Sequence, residues 1–121
     1  MRIALLSDIH GNIRALASVL ADADRCCVDA FVSLGDMVFM GLDPQPCFDA
    51  VMDKRPVIRI KGNTDANLEE LSTFVPSNPF EEQLLDLIAD CDAKMSAEAK
   101  QAIAGWPIAS LYRWEDTEMI C

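Results

Sequence analysis

"RIALLSDIHGN", residues 2–12, is an apolar run that breaks off at an aspartate and a histidine, with glycine and asparagine immediately behind them. A short continuous apolar stretch of this kind reads as a fully buried strand, here residues 3–7. Asp8 and His10 lie just past its carboxyl end. Alternate residues of an extended chain share a side, so these two face the same way if the extension continues. The histidine is the only one in the chain.

The pattern repeats outward from this strand. Residues 13–23 carry Ile13, Leu16, Ala17 and Leu20 at helical spacing. "AFVSLGD", residues 30–36, is a second apolar strand ending at an acid, and Pro44 and Pro46 open a helix through residue 52. "PVIRIKGN", residues 56–63, is a third strand. Strand, helix, strand, helix, strand implies right-handed crossovers and a parallel sheet, an α/β fold.

The alternation then stops. Residues 66–71 read as a short helix and "VPSNP", residues 75–79, as a breaker-rich connection. Residues 80–91 form a helix with Leu84, Leu87, Ile88 and Cys91 on one face; residues 97–104 form another, between Ser96 as N-cap and Gly105 as stop. Residues 108–114 and 118–121 then read as a hairpin around "EDT". Neither repeat nor linker divides the 121 residues, which are expected to form one domain, 1–121.

Composition narrows the function classes. Twenty acidic against ten basic side chains, a formal charge of −10, exclude a duplex nucleic-acid surface, which needs clustered Lys and Arg. No apolar run reaches membrane-spanning length, and the N-terminus lacks a signal-peptide h-region. Five cysteines without a CxxC pair are a poor disulfide framework and fit reduced thiols in the cytoplasm. The adjacent pair Cys26–Cys27, ahead of an apolar strand, is expected to be buried. Met37 and Met40 are expected to pack near the second motif, and Trp106 and Trp114 to lie in the core or on a sheet face.

Parallel strands place their carboxyl ends along one edge, where open sheets bind ligands. Asp8, His10, Asp36 and Asn63 therefore converge, with Gly35 and Gly62 allowing tight turns beneath them. Taken singly, each has an ordinary reading: an acid after a strand is a helix cap, and "GD" and "GN" are common turn pairs. Three such endings in order make a different case. Two carboxylates, an imidazole and an amide form a ligand set for divalent manganese, iron, zinc or nickel.

"DIHGN" (8–12), "GDMVFMG" (35–41) and "GNTD" (62–65) resemble the DxH, GDxxxxG and GN[HD] blocks of the calcineurin-like metallophosphoesterases, the small bacterial and archaeal type in particular. The resemblance implies an α/β/β/α sandwich of which this chain supplies the N-terminal half. It implies a phosphoesterase that hydrolyses phosphomono- or phosphodiesters with a metal-activated water at a dimetal site. By the same resemblance Asp8 and His10 would hold the first metal, Asp36 would bridge the two and Asn63 would hold the second. Asn12, Asn63 and Thr64 would then form the catalytic surroundings. A small phosphate ester is the expected substrate.

Two departures qualify that expectation. Where many relatives carry a histidine after the motif asparagine, this chain has Thr64, which cannot supply a near-neutral proton and leans the reading towards diesters. The family's later histidine ligands have no counterpart here, because His10 is already assigned. The chain therefore reads as cut before its next ligand, with a weak second metal position and low turnover. An uncovered hairpin would favour a homodimer. The competing readings are a non-catalytic metal-binding or interaction module and a phosphoacceptor receiver domain; the loss of βα alternation after Asn63 argues against the receiver.

Overall fold

Two βα units and a third strand build the parallel sheet expected from the first half of the chain. β1 (Ile3–Leu6), α1 (Ile13–Arg25), β2 (Ala30–Ser33), α2 (Pro44–Asp53) and β3 (Ile58–Arg59) follow in order, and the strands lie β1-β2-β3. Ile3 pairs with Ala30, Leu6 with Ser33 and Val32 with Ile58, all in parallel register. The structure is a computed structural model that describes residues 1–70, 73–115 and 117–121, the side chains of residues 68–70 excepted.

β2 is buried at all four positions, as a central strand should be. β1 corrects the expectation of a fully buried strand: Leu5 is 58% exposed. Ala4 and Leu6 pack at the core, and Leu5 between them points to the opposite face of the strand. β3 is shorter than expected, with two residues in the ladder, although Val57 N–H to Phe31 O and Ile60 N–H to Ser33 O extend the pairing at both ends.

Leu16, Leu20 and Ala23 form the buried stripe of α1. Ala17 was expected on that face and is exposed, because the next residue after Leu16 lies about 100° around the helix. Asn12 is the N-cap: its side-chain oxygen accepts the Ala15 N–H at 3.0 Å. Asn12→Ala is expected to cost about 1 kcal/mol. Urea denaturation followed by circular dichroism measures this, and an unshifted midpoint would remove the cap from the account.

The second half packs three helices against this unit. α3 (Asn63–Glu70) starts three residues earlier than expected, and Leu71, the expected last residue, lies outside the described residues. Asn78 caps α4 (Pro79–Ala93), and Ser96 caps α5 (Ala97–Ala104) by accepting from Ala99 N–H. Gly105 ends α5 as expected but with φ −80°, so the stop makes no use of glycine's left-handed freedom. Ile88 and Cys91 of α4 are buried, and Leu84 packs partly buried against the core. Leu87, expected on the same face, is 50% exposed because it sits at the rim of the stripe.

β4 (Leu111–Trp114) and β5 (Thr117–Ile120) form the antiparallel hairpin, with Trp114 opposite Thr117. Its first strand begins at 111 rather than 108, and Ile108 is exposed. Of the expected "EDT" turn, Asp116 lies outside the described residues. A bond from Lys61 N–H to Pro107 O ties the end of β3 to the segment leading into the hairpin.

Met37, Val38 and Phe39 are fully buried in the core with Cys47, Val51, Cys91 and Ile103. The segment just after Asp36 is therefore an anchor of the core, which bears on the site. Met40 is 56% exposed and lines an open pocket beside His10, Gly11 and Asp43. Trp106 stacks on Phe48 with ring centroids 6.1 Å apart, whereas Trp114 is 39% exposed. Cys26 and Cys27 are exposed, contrary to expectation, because they occupy the turn that closes α1. Cys47 and Cys91 are buried, and desolvation pushes both thiols up to about 11. Among the described residues no helix is long and apolar enough to cross a membrane.

Candidate metal centre

Past Leu6 the chain leaves the ladder but stays bonded to its neighbour. Leu34 N–H donates to Leu6 O, Asp8 N–H to Gly35 O, His10 N–H to Asp36 O and Gly11 N–H to Met37 O. The first two motif segments thus run side by side beyond the carboxyl ends of β1 and β2. Extension does not carry them there. Asp8, His10 and Asp36 have φ of 55°, 48° and 53°, the left-handed region that side chains other than glycine rarely adopt. Such strain persists only where surrounding bonds over-determine it, and it gathers at functional sites.

The outcome is one cluster. Ligand atoms of Asp8, His10 and Asp36 all lie within 4.8 Å of one another. His10 Nδ1 is 3.0 Å from Phe39 O. A carbonyl can only accept, so Nδ1 is the donor here, and a neutral ring in this tautomer has its lone pair on Nε2. That nitrogen is 3.6 Å from Asp8 Oδ1. Asp8 is two-thirds exposed at its side chain and His10 one-third, so the cluster opens to solvent on the Asp8 side.

Asp36 is held more completely. Its Oδ1 accepts from Thr64 N–H at 2.8 Å and from the Thr64 hydroxyl at 2.6 Å. Its own N–H donates to Asp65 Oδ2 at 2.9 Å. The same Asp65 oxygen accepts from Gly62 N–H at 3.0 Å, and Oδ1 accepts from Met37 N–H at 3.1 Å. Asp65 is fully buried, and loss of water pushes its carboxyl above the ordinary value against the opposing pull of those three N–H groups. A Cβ at Gly62 would overlap Asp36, which explains glycine at this point of closest approach.

The sequence-derived residues thus separate by position. Asp8, His10 and Asp36 form the cluster. Thr64 binds Asp36 directly. Asn63 is exposed as the first residue of α3, one residue from that contact, rather than at the end of β3. The side-chain oxygen of Asn12 is engaged by the helix cap. The role of Asp65, the last residue of "GNTD", follows from its burial and its three N–H partners, which the motif's spacing does not show. Two carboxylates and an imidazole whose Nε2 is not taken by Phe39 are the oxygen and nitrogen donors that divalent transition metals take, so the donor set fits such an ion.

The sequence model of the calcineurin-like phosphoesterase superfamily domain matches residues 1–108. An uncharacterized protein of Methanocaldococcus jannaschii is 36% identical over 63 residues, which are 52% of this chain and 26% of that protein. A crystal structure of a metallophosphoesterase from Sphaerobacter thermophilus is 34% identical with a TM-score of 0.71, covering 91% of this chain and 42% of that one. A hypothetical protein from Pyrococcus horikoshii superposes with a TM-score of 0.77 at 18% identity, covering 98% of this chain and 52% of that one, a likeness of fold. The chain spans about half the length of these solved structures or less.

Proposed function

Given that the chain belongs to the calcineurin-like phosphoesterase superfamily, we propose that it carries the first metal-binding half of a phosphoesterase acting on small phosphate esters. The observation that supports this most directly is the Asp8–His10–Asp36 cluster, whose ligand atoms lie within 4.8 Å of one another on strained backbone. Asp8 and His10 would hold one divalent ion, Asp36 would reach both it and a second, and Asn63 would contribute to the second position. Manganese, iron, zinc and nickel all suit these donors. A bound ion supplies Lewis-acid polarisation of the phosphoryl group and charge neutralisation in the transition state.

The chain's own residues set the rest of the chemistry. Phe39 O orients the His10 ring and fixes its tautomer. Thr64 directs its hydroxyl to Asp36 and has no near-neutral proton for a leaving group. Substrates whose leaving group departs without protonation, activated phosphodiesters among them, therefore suit the site best. Five free thiols, two of them adjacent and exposed, fit a reducing, cytoplasmic setting.

The test is hydrolysis of bis(p-nitrophenyl) phosphate and p-nitrophenyl phosphate with and without manganese. Slow, manganese-dependent release that favours the diester, stops with chelator and disappears in Asp8→Asn is the expected result. Release unaffected by chelator would overturn the reading. Metal binding without any turnover would support a metal-binding module instead.

A further inference from the structure

We infer that Thr64 is a positioning residue for metal binding: its two donors hold Oδ1 of Asp36 and leave Oδ2 as the atom offered to the ion. The inference rests on the reading of the Asp8–His10–Asp36 cluster as a metal site and extends it to Thr64, the residue at which this chain departs from the family motif. Free rotation of a carboxylate about its last torsion presents either oxygen, or both, to a ligand. Here the Thr64 N–H at 2.8 Å and hydroxyl at 2.6 Å converge on the same oxygen. Two bonds to one oxygen, from one residue, remove that rotation.

Thr64 is itself held in place. On one side of it Gly62 lies so close to Asp36 that a Cβ would overlap the carboxylate. On the other side Asp65 bonds Gly62 N–H and Asp36 N–H through a single oxygen. The turn cannot move away from Asp36 without breaking those bonds. Directly after Asn63, this chain therefore has a side chain directed at Asp36. Hydrogen-bond partners of ligating carboxylates commonly set affinity by roughly ten- to a hundredfold.

Manganese titration calorimetry on the full chain, wild type beside Thr64→Val and Thr64→Ser, tests this together with thermal melts of the metal-free proteins. Valine keeps the shape and the backbone N–H but removes the hydroxyl. The expected result is about a tenfold loss of manganese affinity in Thr64→Val, recovery in Thr64→Ser, and metal-free melting temperatures that stay together. Wild-type affinity in Thr64→Val would overturn the inference while leaving the metal site standing. Equal losses of affinity in the valine and serine variants, with a lowered metal-free melting temperature, would assign Thr64 to the fold and overturn it as well. No manganese binding by wild type would remove the metal-site reading and this inference together. Thr64→Ala provides the same comparison if the valine variant does not fold.

Discussion

Asp36→Asn is expected to lose manganese binding by at least about a hundredfold, the upper end of what even a supporting partner of a ligand costs. Asparagine keeps the shape of the side chain but makes its two ends chemically unlike. The two Thr64 donors must still find an acceptor at Oδ1. The amide carbonyl takes that place, and the amide nitrogen then points towards Asp8 and His10. A group with two protons and no available lone pair replaces a charged ligand atom. The metal-free protein should not suffer in parallel, because removing one of two clustered carboxylates relieves like-charge repulsion. Titration calorimetry and thermal melts read the two effects separately, and equal affinity for variant and wild type would sink the assignment of Asp36 as a ligand.

Asp65→Ala is expected to destabilise the metal-free protein by about 2–4 kcal/mol, since buried donors stripped of their acceptor cost roughly 1–3 kcal/mol each and water can restore part of that. Three backbone N–H groups lose their acceptor at once: those of Asp36, Met37 and Gly62. The carboxylate that holds them is fully buried, so the cavity left behind is enclosed. Burial of the charge offsets part of the gain, as the raised carboxyl pKa shows. For a domain of this size the loss corresponds to a fall in melting temperature on the order of 10 °C. Differential scanning calorimetry in chelator checks it, and a shift within a degree or two would mean that the strand ends are held by the core alone.

The first strand, the two crossover helices and the parallel order of the sheet were legible because each rests on local patterns. Leu16 and Leu20 repeat at helical spacing, Ser96 and Gly105 bound α5 to the residue, and each apolar run stops at a Gly, Asp or Asn. Parallel strands then send their carboxyl ends to one edge, so the neighbourhood of Asp8, His10 and Asp36 follows from chain order. Exposure did not follow from those patterns. Leu5 and Leu87 are as apolar as their buried neighbours, and they are exposed because of what does or does not pack beside them.

Sequence alone therefore determined which residues could meet, since helix and strand periods and the direction of the strands are set by near neighbours in the chain. The tertiary structure decided how they meet. Left-handed backbone, rather than continued extension, turns Asp8, His10 and Asp36 towards one another. The bonds that enforce this join residues far apart in the chain: Phe39 to His10, and Thr64 and Asp65 to Asp36. Such contacts depend on two elements closing to within hydrogen-bond distance, and no local spacing encodes that. Asp65 is the clearest case, an acid that looks like any surface residue in "GNTD" until the fold removes it from water and surrounds it with three N–H donors.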